Sequence, residues 1–308
     1  MSISTRAVMG RDWEQDFRSW GRPPSTTETD RCDNAVSVVR NAVRSYVGFA
    51  TRNIEVFAQG SYRNGTNVRS DSDVDVCVRC MDVFFADHSD GTTDADVGLV
   101  TASYTYGQFK DDVEAALRAY LGAKSVTRGN KAIDLHENSY RVDADVVPTF
   151  EHRRYYRDVL GQVRYLSGTE LHPDNGGRIV NWPEQNYRNG TNKNQDTGTR
   201  YKKMVRILKR LRNEMEQAGR AEAAPIPSYL IECLVWNVPD KHFGSAAYTD
   251  DVARILAYLY SATEKDETCR EWGEVNELKY LFRPSQPWTR EQARQFVVGA
   301  WTYVGVLG

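Results

Sequence analysis

Cysteine is scarce in this sequence, a long apolar run is missing, and neither sign of charge dominates. Five cysteines in 308 residues (Cys32, Cys77, Cys80, Cys233, Cys269) are too few and too scattered to staple a small secreted fold. No apolar stretch approaches the ~20 residues that cross a bilayer. The opening MSISTRAVMGRDWEQDF lacks the basic start and apolar core of a secretory leader, so the cytoplasm is the expected compartment and no membrane partner is expected. Lys and Arg total 40 against 42 Asp and Glu, a net charge of -2, which gives no global electrostatic reason to coat a nucleic-acid duplex. Any anionic ligand must be held by a local site.

What is present reads as an ordinary globular protein with an α/β front and a helical back. The segment 27–47 carries Val36, Val39, Val43 and Val47 at helical spacing, with Thr27 and Asp30 placed to cap its start. IEVFAQ (54–59) reads as a strand ending at Gly60, and 73–79 alternates strictly. A polar loop over 86–98, a helix over 108–121 and a hairpin of 131–137 with 140–147 follow. The stretch 167–199, rich in Gly, Asn, Pro and Thr, reads as connections and short strands. Helical periodicity then dominates at 199–217, 226–237, 249–262 and 289–304, with Thr249 and Thr289 where N-caps belong. The change of character predicts one domain over 1–165 and a helical one over 166–308.

The chemistry concentrates in Gly60-Ser61, eleven further residues, then Asp73-Val74-Asp75. A strand running into Gly-Ser lets backbone N–H groups approach an anion, and the hydroxyl adds a donor. On the next strand Asp73 and Asp75 share one face while Val74, Val76 and Val78 share the other, so burying the valines fixes where the acids point. Adjacent carboxylates repel unless a cation sits between them, and hard oxygen ligands suit Mg²⁺ or Mn²⁺. A third carboxylate is offered by Asp143 or Asp145 on the 140–147 strand. Three acids beside a phosphate-cradling turn meet the needs of two-ion phosphoryl transfer. Further on, Lys202, Arg206 and Lys209 fall on one face of the 199–217 helix, although such a face is ordinarily just solvated.

These residues resemble the signature of polymerase-beta-type nucleotidyltransferases. Within them, Asp145-Val146-Val147-Pro148-Thr149-Phe150 resembles the third-aspartate strand of the oligoadenylate synthetases and the cGAS/DncV-like nucleotidyltransferases. In strands of that form the ligand directly precedes the apolar pair, which implies Asp145 rather than Asp143. Tyr201-Lys202-Lys203-Met204-Val205-Arg206 is similar to the family helix whose lysine contacts the donor triphosphate, here Lys202. Pro227-Ser228-Tyr229-Leu230-Ile231-Glu232 looks like the element supplying a triphosphate-binding serine, Ser228, and a base-stacking tyrosine, Tyr229.

The resemblance implies a bilobal α/β fold with a mixed sheet, its helical lobe closing over the nucleotide. It implies an enzyme that joins nucleoside triphosphates into a cyclic oligonucleotide signal of antiphage defence. Gly60 and Ser61 would hold the β- and γ-phosphates, and Asp73, Asp75 and Asp145 two ions of Mg²⁺ or Mn²⁺. The length and the form GSYRNGTNVRSDSDVDV look most like the clade that includes cyclic dipyrimidine and cyclic UMP–AMP synthases. A monomer is expected, with room for a regulatory protein partner. Nothing resembles a zinc ribbon, so DNA sensing is not expected. The competing reading is an RNA-tailing or small-molecule nucleotidyltransferase, since GSYR followed by DVD also looks like poly(A) polymerase. A non-catalytic nucleotide-binding module is a further alternative, though that class typically lacks one of the three carboxylates.

Overall fold

Alternation of buried and open side chains decides the first half of the chain. Among the described residues seven strands form one sheet: β1 (Ile54–Gln59), β2 (Val74–His88), β3 (Val126–Arg128), β4 (Ile133–Leu135), β5 (Ala144–Arg157), β6 (Val163–Leu171) and β7 (Ile179–Asn181). The order is β1-β2-β5-β4-β3, with β6 pairing β5 and β7 pairing β6. β2 and β5 run parallel and all other pairs are antiparallel. The structure is a computed structural model and describes residues 10–69 and 73–305; Ser70, Asp71 and Ser72 of the acidic motif lie outside the described residues.

β1 has the expected limits. β2 and β5, however, extend to 15 and 14 residues, well beyond the alternating stretches that announce them. Their length comes from each other, because the register Phe84↔Glu151 to His88↔Tyr155 resumes after an irregularity between Cys80 and Phe84. Part of the expected 86–98 loop is therefore strand. β5 is shared on its other edge, by β4 over 144–146 and by β6 over 150–157. Pro148 falls in the gap between those two partners, where a missing N–H costs no ladder bond. The helices Thr26–Ser45 and Tyr106–Leu121 cover one sheet face, and Val36, Val39 and Phe109 meet Val74, Val76, Val78 and Val146 in a common core. The first helix begins one residue earlier than expected, capped by Ser25 in a box with Glu28 rather than by Thr27 or Asp30.

The chain divides into two units, one of 25–63 with 73–184 and one of 10–24, 64–69 and 185–305. The expected boundary at 165/166 falls inside β6, which the ladder to β5 commits to the sheet unit. The helical unit is organised on Arg200–Gln217, whose Tyr201, Met204, Leu208, Leu211 and Met215 are buried with residues of Ser228–Trp236, Tyr248–Ala262 and Arg290–Val304. Trp13–Trp20, a helix the sequence reading passed over, adds Phe17 to that core. Thr289 forms the expected capping box with Gln292. Thr249 does not cap: it lies inside its helix, and its N–H and hydroxyl both donate to Glu14.

The stretch 167–199 is the main departure, because Pro183–Asp196 is a 14-residue helix. Its propensity is poor, but Pro183 occupies the first position, where an N–H is dispensable. Long-range partners supply the rest. Asn189 Nδ2 donates to the Val275 carbonyl at 2.9 Å and Lys193 Nζ to the Val238 carbonyl at 2.8 Å. Asn186 and Gly190 are buried, and tertiary packing overrides composition. A Cβ at Gly190 would make only ordinary contacts, 3.6 Å to Tyr201 and 3.7 Å to Val275. Gly190→Ala should therefore stabilise the protein by about 0.5–1 kcal/mol. Calorimetry should show a melting temperature raised by about 2 °C; a lower one would mean the packing at Gly190 does not tolerate a methyl group.

Candidate active site

Strand register assembles the acids. Asp75 on β2 pairs with Asp145 on β5, and Asp145 pairs with Asp134 on β4. Directly paired residues point to the same face, so three carboxylates stand in a row across adjacent strands spaced ~4.8 Å apart. Asp73, two residues before Asp75, is exposed just ahead of β2 on that same face. Opposite them, Val74, Val76, Ala144, Val146, Ile133 and Leu135 are buried. This burial locks the register, because a one-residue slip would put every acid into the core.

Asp134 is the acid that sequence reading missed. Its signal was the alternation Ile133-Asp134-Leu135 opposite Asp145, legible only once the hairpin register is known. Its charge, with those of Asp73 and Asp143, adds to burial in raising the pKa of Asp145 above the ordinary aspartate value. Asp143 has a different occupation: its Oδ1 accepts the Glu137 N–H at 2.5 Å and closes the hairpin.

Gly60 is required twice over. Its φ of +65° is a conformation other residues rarely adopt, and a Cβ built on it would overlap Asp75 Oδ2. Removing the side chain is what lets the Asp75 carboxylate lie against the backbone. Ser61 follows in the five-residue helix Gly60–Asn64.

Lys202, Ser228 and Tyr229 belong to the other unit. Lys202 is half-buried; Nζ donates to Thr191 Oγ1 at 3.3 Å and lies 5.6 Å from the Tyr187 ring centroid. Burial, reinforced by Arg206, pulls its pKa below the usual lysine value, and Glu232 opposes that shift. Ser228 is not a cap, since Pro227 holds that position; its Oγ accepts from Arg212 Nη2 at 2.8 Å. Tyr229 donates its hydroxyl to Asn186 Oδ1 at 3.0 Å or Glu274 Oε2 at 3.1 Å, and its ring meets Trp288 edge-on. Arg206 and Lys209, which share the face of Lys202, are 5% and 3% exposed, so the face is not simply solvated. They bond the segment that leaves the Gly60–Asn64 helix.

Among the described residues no three His, Cys, Asp or Glu side chains already converge as a metal-ligand set. The donor chemistry nevertheless fits a hard divalent cation: carboxylate oxygens in register, with Asp145 under repulsion that a cation would relieve.

A mixed sheet with paired acids after a Gly-Ser turn defines a nucleotidyltransferase, and residues 36–156 match the nucleotidyltransferase domain family. Residues 188–305 match the cGAS/DncV-like nucleotidyltransferase C-terminal helical domain. The cyclic dipyrimidine nucleotide synthase CdnE of Legionella pneumophila is 48% identical over 96% of this chain and 99% of its own. The solved c-UMP-AMP synthase of Rhodothermus marinus superposes with a TM-score of 0.81 at 32% identity, covering 95% of this chain and 97% of that one. The solved cyclic dinucleotide synthase of Elizabethkingia meningoseptica gives 0.78 at 36%, covering 95% and 98%. The chain belongs to the cGAS/DncV-like nucleotidyltransferases, an enzyme family whose nucleotidyltransferase chemistry uses divalent metal ions.

The charge row makes a measurable prediction. Replacing Asp134 by Asn removes a neighbouring negative charge, so ionising Asp145 becomes easier and its pKa falls. Carboxyl-carbon NMR titration of the metal-free protein should place the Asp145 midpoint lower in Asp134→Asn than in wild type; an unmoved or higher midpoint would break the assignment of that charge.

Proposed function

We propose that the protein joins nucleoside triphosphates into a cyclic di- or oligonucleotide, releasing pyrophosphate, and that the product is a signal in antiphage defence. The observation that carries the chemistry is the acid row of β2 and β5 set directly beside the glycine turn that ends β1. Relatives across most of the chain are named as cyclic nucleotide synthases, and the 48% identical one as a cyclic dipyrimidine synthase, so pyrimidine triphosphates are the substrates to test first.

The residues divide the work by chemistry. Asp73 and Asp75 would hold both of two Mg²⁺ or Mn²⁺ ions, and Asp145 the one on the acceptor side. Such ions, when bound, polarise the acceptor hydroxyl and offset the charge of the departing pyrophosphate. Backbone N–H groups at Gly60 and Ser61, with the Ser61 hydroxyl, orient the β- and γ-phosphates. Lys202, whose ammonium is partly desolvated, gains most by meeting an anion and is assigned to the triphosphate with Ser228. Tyr229, fixed by its hydroxyl bonds, is assigned to stacking on the base. Among the described residues no helix is long and apolar enough to cross a membrane, in keeping with nucleotide substrates taken from solution.

Incubation with each triphosphate, alone and in pairs, plus Mg²⁺ or Mn²⁺ should give phosphatase-resistant products identifiable by mass spectrometry. Turnover only when an RNA 3′ end or small-molecule acceptor is added would favour a tailing or modifying enzyme. Asp73→Asn with Asp75→Asn should abolish product. Without metal the double variant should melt no lower than wild type, since two like charges are removed. With metal and nucleotide only the wild type should gain thermal stability.

Lys202→Ala should raise KM for the nucleotide more than it lowers kcat, because a phosphate contact serves mainly ground-state binding. Lys203 packs beside Gly21 instead, and Lys203→Ala should leave both constants near wild type. Kinetics in which Lys203→Ala is the damaging change would reverse this assignment.

A further inference from the structure

The chain leaving the Gly60–Asn64 helix does not stay with the sheet; residues 64–69 belong to the helical unit. There they are held from several sides. Thr66 is 1% exposed, and its hydroxyl donates to Glu232 Oε2 at 2.7 Å. Lys209 Nζ donates to both Thr66 Oγ1, at 3.3 Å, and Glu232 Oε2, at 3.1 Å. Asn64 Nδ2 reaches Glu232 Oε1 at 3.3 Å, Arg206 bonds the Gly65 carbonyl, and Arg69 Nε bonds the Pro23 carbonyl at 2.8 Å.

Glu232 and Lys209 are themselves 2% and 3% exposed. An ion pair so buried is a poor way to gain stability, since an apolar pair of similar volume is often as stable or more so. What leucine and methionine there could not supply is direction. The charged pair grips one hydroxyl and one amide in the five residues that follow Gly60 and Ser61. Glu232 also accepts from Asn186, which in turn bonds the Tyr229 hydroxyl, so Glu232 and Tyr229 share a bonding partner.

We propose that Glu232 and Lys209 are positioning residues for nucleotidyl transfer: their buried pair fixes Asn64 and Thr66, and through them the Gly60–Ser61 turn. The proposal rests on Gly60 and Ser61 being the phosphate-binding turn. Neither Glu232 nor Lys209 is required to touch substrate.

The test separates positioning from mere stabilisation. In the double variant Glu232→Leu with Lys209→Met the ion pair is removed as a unit and neither partner is left unpaired, so the protein should stay folded, its melting temperature lowered at most by the lost bonds of Thr66, Asn64 and Asn186. Pyrophosphate release per folded molecule should nevertheless fall about tenfold to a hundredfold, the scale of an ångström misplacement. Thr66→Val keeps the ion pair, removes its grip and should show a similar loss of kcat. Ser61→Ala, made in both backgrounds, should cost much less in the double variant than in wild type, because a turn already out of place has less to lose. Wild-type turnover in the double variant, or an equal cost of Ser61→Ala in both backgrounds, overturns the proposal. A wild-type enzyme that turns over normally with Ser61→Ala sinks the phosphate-binding role of the turn itself, and the positioning role with it.

Discussion

Repulsion between carboxylates in register is the constraint around which the sheet unit is built. Asp75, Asp145 and Asp134 occupy paired positions on three adjacent strands, an arrangement that costs free energy in the absence of a cation. The opposite face makes it affordable. Val74, Val76, Ala144, Val146, Ile133 and Leu135 are all within 1% of complete burial, and each larger side chain contributes roughly 1.5–3 kcal/mol when removed from water. The strands thus have one register open to them. The glycine at the end of β1 follows from the same constraint, since the Asp75 carboxylate occupies the space a side chain would need.

The helical unit disposes of the charges on one helix face by burying most of them against partners. Lys202, Arg206 and Lys209 leave one helix on one face, but only Lys202 remains half-open. Arg206 is spent on the carbonyls of Gly21 and Gly65, and Lys209 on Glu232 and Thr66. A face that reads as three equivalent charges is therefore one half-open lysine and two anchors. The physical difference is desolvation, which an amphipathic pattern does not report.

Legibility in the sequence follows the range of the interactions involved. The limits of β1, the valine and aspartate faces of β2 and the covering helices rest on alternation within a few residues, and they read directly. The Gly60-Ser61 turn and the shared face of Asp73 and Asp75 rest on the same short-range pattern, whereas alternation left Asp143 and Asp145 equivalent and only the family resemblance chose Asp145. Asp134 and Glu232 were invisible, because their meaning lies in strand register and in a contact far along the chain. The hexapeptide YRNGTN shows the limit most plainly. At 62–67 it leaves a short helix at Gly65, with φ of +63°, whereas at 187–192 it lies wholly within Pro183–Asp196. Identical residues adopt two structures because different neighbours satisfy their amides.

The embedding of residues 64–69 in the helical unit also sets an order on biosynthesis. Thr66 meets Glu232 across 166 residues of chain. At about 5–20 residues per second, a ribosome needs roughly ten to thirty seconds to make that interval. Until it has passed, the β1–β2 connection lacks the Glu232 carboxylate that accepts from Thr66 and Asn64. The helical unit is not a continuous stretch of chain, so residues 64–69 cannot settle when they are made. All seven strands are made by Asn181 and can pair first; what waits for the last third of the molecule is the 64–69 connection, which until then lies open to a chaperone or a protease.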